Sequence, residues 1–186
     1  MKNHLLTFFI LSTLLAACTG KNSSSRSGSN KTTAEHTERF NAAMDSIFDF
    51  NVSENPVRQS YMGIRDRQDE WGIYNDSMQK VWNERTKEQL AFIENSFNLE
   101  NLDKQAQITY RLFVADSKES IKWFDWRRYS YPVNQMFGTH SWIPSFLINI
   151  HTIHNEEDAK AWLSRLHKVD QKIDEQIEEL KLNREA

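Results

Sequence analysis

The sequence predicts an all-α chain, a helical array of four to five helices. Three observations carry this. The 186 residues include only five glycines and three prolines, where average usage of about 12 % would place more than twenty. Turn-dense sandwiches and Pro-rich linkers are thereby excluded. No stretch sustains the apolar-polar alternation of a half-buried strand, and apolar residues instead recur at spacings of three and four. Hydrophobic residues at 39 %, with six tryptophans, exclude disorder over the whole length, because that much apolar surface has a core to bury. The length allows one domain or part of a larger one. A net charge of −3 excludes a strongly basic nucleic-acid binder, so no nucleic-acid partner is expected.

The N-terminus reads as a targeting segment. Lys2 precedes an apolar stretch from Leu5 to Ala17. As a helix it would span about 20 Å, too short for a bilayer core of about 30 Å. Residues 1–17 are therefore expected to be a signal peptide. Leu15-Ala16-Ala17-Cys18 has the form of a bacterial lipobox, in which small residues fit the peptidase cleft and the cysteine thiol accepts lipid. Cys18 is the only cysteine, so an intramolecular disulfide is excluded. An ordinary signal peptide with an incidental cysteine is the other reading, but the Ser-rich tract Thr19 to Asn30 favours lipidation followed by a tether. Residues 18–31 are expected to be that lipidated tether. Several acyl chains on one cysteine anchor stably. Thr19, where an Asp would signal inner-membrane retention in some bacteria, leans the expectation to the outer membrane. The chain is thus expected to be exported and anchored to the cell envelope through Cys18.

Residues 32–186 read as the helical domain. Thr32-Thr33-Ala34-Glu35 fits a capping box, and Phe40, Ala43, Met44, Ile47 and Phe48 follow on one face. Asn55-Pro56 breaks this helix. Residues 57–76 look like a turn-rich link. Ser77 is the expected cap of a second helix running to about Phe97, and a third runs from about Leu102 to Phe124. In the last helix, Asn155 caps and Glu156, Glu157 and Asp158 favour the positive helix end. Trp162, Leu166, Val169, Ile173, Ile177 and Leu180 then form one apolar stripe suited to an antiparallel helical neighbour. Lys181 to Ala186 has no stop signal while the stripe still runs, which is the expectation for a truncated C-terminus. Such a stripe predicts self-association, or pairing with a missing C-terminal part.

Candidate chemistry concentrates between Tyr131 and His154. His151 and His154, three apart, can share a helix face, yet the chain has no His-Glu-x-x-His, and no metal site is expected from it alone. A nucleophile elbow and a Gly-rich phosphate loop are absent too, so no catalytic residue is expected. The aromatics from Trp123 to Tyr131, interleaved with Lys122, Arg127 and Arg128, suggest packed core with arginines reaching outward. Asp174, Glu175, Glu178 and Glu179 read as a solvated helix face.

Beyond the lipobox, Glu54-Asn55-Pro56, Gly63-Ile64 and Trp71 resemble the start of the bacterial domain of unknown function 885 family. The run Pro132-Val133-Asn134-Gln135-Met136-Phe137-Gly138-Thr139-His140-Ser141 is similar to the family's signature. It continues through Pro144-Ser145-Phe146-Leu147 to Asp158-Ala159, Trp162 and Arg165-Leu166. The resemblance spans about residues 37 to 184. It implies a larger α-helical fold of which this chain is an incomplete part, related to zinc metallopeptidases of the gluzincin type. Family members are two to four times longer, and their zinc motif lies downstream of this signature. Zinc and a peptide substrate are therefore implied only for a full-length member. The resemblance also implies that Asn134, Gln135 and His140 belong to a segment facing a substrate groove; equally, they can fix a helix-helix corner. The expected function is the N-terminal helical segment of an exported, lipid-anchored, metallopeptidase-like protein, inactive alone. The alternative is a small autonomous helical lipoprotein acting as a binding or envelope-interaction module.

Overall fold

A computed structural model describes the backbone of residues 24–185, with side chains from Lys31 onward. The expected signal peptide and Cys18 lie outside the described residues. Within them the chain is all-α, with seven α-helices, two short 3-10 turns and no strand.

Helix α1 (Ser24–Ser53) begins inside the Ser-rich tract. Thr32 is therefore an interior residue, not the cap expected from its box. Asn55 and Pro56 both end α1 and start α2 (Pro56–Tyr61): the Asn55 side chain accepts from Arg58 N–H, and proline sits at the first helical turn. A proline there has no N–H to leave unpaired and its φ is already helical. The link expected over 57–76 thus contains a helix, because Asn55-Pro56 starts a helix as well as ending one. Helix α3 (Asp76–Ser96) is capped by Asn75, which accepts from Met78 N–H, rather than by Ser77. Helix α4 (Lys104–Phe124) is capped by Asp103, and its end matches the expected one.

Helix α5 (Thr139–Asn149) contains Pro144. The sequence leaves it unassigned, since an apolar run with an internal proline carries little amphipathic signal. Helix α5 ends before His151 and His154, which therefore share no helix face. Asn155 caps α6 (Glu156–His167) as expected, accepting from Asp158 N–H.

The long last helix is in fact two, α6 and α7 (Val169–Arg184), broken at Lys168. The indole N–H of Trp71 donates to the Arg165 carbonyl at 2.8 Å, and Lys168 N–H donates to it as well. An unbroken helix would offer that carbonyl to the Val169 N–H. Competition for one carbonyl explains the break, and no local sequence signal announces it.

Two cores form. Phe40 of α1 packs with Ile93, Phe97, Leu102 and Ala106 from the α3–α4 hairpin. Trp71 packs with Ile143, Phe146 and Leu147 of α5, against Trp162 and Val169. At about 1.5–3 kcal/mol for each fully buried large side chain, these clusters hold the two halves. The aromatics at the end of α4 and after it behave oppositely to expectation: Trp123, Trp126, Tyr129 and Tyr131 are exposed. Arg127 and Arg128 are the residues held down, by Asp76 and Glu179. Ion pairing, not ring burial, fastens this segment.

Candidate binding cleft

A cleft of about 1010 Å³ opens between the α1–α2 junction, the Trp71–Trp82 segment, the 130–145 segment and α7. Its floor is aromatic. Trp71 lies 5.5 Å from Trp142, ring centre to ring centre, and Tyr74 lies 5.7 Å from Trp82. Met136 and Phe137 form one lip. The remaining wall is polar and comes from α7, whose Lys172, Glu175, Gln176 and Glu179 face inward. Concave aromatic walls with a few converging polar groups are the usual make-up of ligand sites.

The polar wall is held rigidly. Arg128 bridges Asp76 and Glu179, and Gln79 donates to the same Glu179 carboxylate at 3.3 Å. The Asp76 carboxyl lies below its ordinary range, first through Lys80 and then Arg127. Burial raises the Tyr74 hydroxyl above its usual value, and Glu179 adds to this. Lys172 pairs with Glu175 and donates to the Gly72 carbonyl. Of the acidic run expected to be solvated, Asp174 and Glu178 are, whereas Glu175 and Glu179 line the cleft.

Behind the floor lies the fully buried Arg165. Its guanidinium donates to the Glu70 carbonyl at 2.9 Å, to Ser60 Oγ and His151 Nδ1 at 3.0 Å each, and to the Pro56 carbonyl at 3.3 Å. It also lies over the Trp71 and Phe146 rings. Burial lowers its pKa to about 10, which leaves it charged at neutral pH. Since a guanidinium only donates, His151 Nδ1 is the acceptor, and its Nε2–H faces the Asp158 carbonyl at 3.2 Å. Burial, then the Arg165 charge, holds His151 below its ordinary range. Asp158 caps the other end of this network. Its carboxylate accepts from His154 N–H and pairs with Arg65, and both lower its pKa.

The three residues singled out from the sequence lie beside the cleft. Asn134 Oδ1 accepts from Met136 and Phe137 N–H at 2.8 and 2.9 Å, while its own N–H donates to the Phe137 carbonyl. Asn134 is thus a loop clasp that sets the Met136–Phe137 lip. Gln135 and His140 are exposed. His140 stands over Gly138, whose φ of +144° favours glycine and whose added Cβ would meet His140 Nδ1 at 2.9 Å. The cleft wall itself takes Met136, Phe137, Gly138, Thr139 and Ser141 from this run. Sequence reasoning missed Arg165, Lys172 and Glu179. For Arg165 and Lys172 the available signal was a position one helical turn from Trp162 and Val169 of the apolar stripe; Glu179 carried no such signal.

Among the described residues, no group of three or more His, Cys, Asp or Glu comes together as a metal site. No described helix is long and apolar enough to cross a membrane. Residues 56–186 match a family model described as "Bacterial protein of unknown function (DUF885)". Neither a curated protein nor a solved structure matches the chain.

Proposed function

The chain belongs to the DUF885 family, and on that premise we propose that it is the peptide-binding helical portion of an exported, lipid-anchored, metallopeptidase-like protein. The observation that carries this is the cleft, where Trp71 and Trp142 offer apolar faces and α7 offers carboxylates, an amide and an amine. An extended peptide presents the same alternation of side-chain surface and backbone polar groups, so it suits such a wall. Anchoring rests on the lipobox ending at Cys18.

The residues present do not fit the zinc that the resemblance implies. Both His151 nitrogens are engaged, one by a guanidinium that would repel a cation. The Asp158 carboxylate is already paired with Arg65. The chain has no His-Glu-x-x-His. Hydrolysis is therefore not assigned to this chain, and its own residues supply binding.

Titration of the full chain with the unstructured peptides of a casein digest should shift its tryptophan emission. Ser145 lies exposed on the cleft wall, so Ser145→Trp should obstruct the cleft and abolish the shift without disturbing a buried residue. Equal binding by the variant would overturn the cleft reading. Cys18→Ser should release the protein from carbonate-washed membranes; continued retention would overturn the anchoring reading.

A further inference from the structure

Helix α7 turns its polar side inward to the cleft and its apolar side to solvent. Ile173, Ile177 and Leu180 are 46, 42 and 41 % exposed, as is Leu166 of α6 at 42 %, whereas Lys172 is 8 % exposed. We propose that this outward seam pairs antiparallel with the same seam of a second copy of the chain. The proposal does not rest on the cleft's ligand.

Charge placement selects both partner and direction. At 100° per residue, Asp170, Asp174 and Lys181 lie on one flank of the seam, with Arg184 near its midline. All four are exposed. The acids occupy the first half of α7 and the bases its last turn. In an antiparallel helix pair the same flank of both partners meets. A two-fold axis at Ile177 sets Ile177 against Ile177 and Ile173 against Leu180. The same axis brings Asp170 opposite Arg184 and Asp174 opposite Lys181. Each contact occurs twice, as an isologous interface requires. In a parallel pair this flank would meet the opposite flank of the partner, and these acid–base pairs would not form.

The seam is one 16-residue helix extended by Leu163 and Leu166, small beside the standard interface of about 800 Å² per partner. The pairing therefore belongs with the small, weak interfaces.

Sedimentation velocity of the full chain in detergent, with less than one chain per micelle, tests this. The chain should form dimers. Asp170→Lys with Asp174→Lys makes the flank wholly basic, and Lys181→Glu with Arg184→Glu makes it wholly acidic. Each double variant should weaken dimerisation by about tenfold or more, because attractive contacts become repulsive in both symmetry copies. Mixing the two variants should restore dimers. In a Cys18→Ser background, Ile177→Cys should close a disulfide on the axis. A chain that stays monomeric up to about 100 µM, where even weak interfaces associate, would overturn the proposal. So would open-ended polymers, or association indifferent to the charge reversals.

Discussion

Arg165 Nη1 donates to His151 Nδ1 at 3.0 Å in the interior, so a permanent cation fixes one neutral tautomer of a buried histidine. Protonating His151 would place two cations in contact behind the cleft floor. Its folded pKa is depressed, so the unfolded chain takes up this proton first as pH falls. The contact's stability is full above an unfolded value of about 6.5 and declines below it. The melting temperature should be level from about pH 8 to 7 and fall between about pH 6.5 and 5, above the carboxylate range. His151→Asn keeps an acceptor for Arg165 without titrating, so its profile should be flatter. Identical profiles for the two proteins would remove His151 from the account.

Arg165→Ala should be among the most damaging single changes. It removes the donor to the Glu70 carbonyl and to His151 Nδ1, whereas Ser60 Oγ and the Pro56 carbonyl keep their bond to each other. At about 1–3 kcal/mol for each of these two buried groups left unsatisfied, urea unfolding should show a loss of at least about 2 kcal/mol. Arg165→Lys should rescue little, since one ammonium cannot match a planar fork that reaches four acceptors. A lysine variant with full stability would show that charge alone matters there.

Trp71→Phe removes the indole donor while keeping an aromatic ring in the floor. Loss of one buried hydrogen bond should cost about 1 kcal/mol. The Arg165 carbonyl then becomes free for Val169 N–H, so hydrogen exchange at Val169 should slow as α6 and α7 join. Unchanged or faster exchange at Val169 would mean that something other than Trp71 breaks the helix.

Gly138→Ala adds a Cβ at φ +144° and against the His140 ring. Strain of about 1–3 kcal/mol is expected, with the Met136–Phe137 lip displaced and peptide binding weakened. Adding His140→Ala relieves the collision but not the backbone strain, so recovery should be partial. Complete recovery in the double variant would assign the whole effect to the collision.

Metal analysis of the purified chain after dialysis against zinc should return far less than one zinc per chain, since His151 and Asp158 are already engaged. Stoichiometric zinc would direct attention to His140 and His154, whose side chains carry no such bonds.

Local chemistry was enough for the helical class. Asn155 accepts from Asp158 N–H as its position suggests, α4 ends at Phe124, and Phe40 with Met44 and Ile47 meets α3 and α4. These features depend on a few neighbouring residues: a cap needs one side chain within reach of a free N–H, and a stripe needs only helical spacing. The signature around Asn134 and Gly138 was also legible, because a family resemblance reads residues in order. Tertiary structure alone decided which way each face points. Periodicity located the stripe from Trp162 to Leu180, but not that its second half faces solvent while Glu175 and Glu179 turn into a cleft. The break at Lys168 depends on Trp71, a residue 94 positions before Arg165 in the chain. Arg165 is buried because carbonyls from Pro56 and Glu70 converge on it. The desolvation of a charge, like the burial of a face, is set by partners that folding brings from far along the chain, and no window of neighbouring residues contains them.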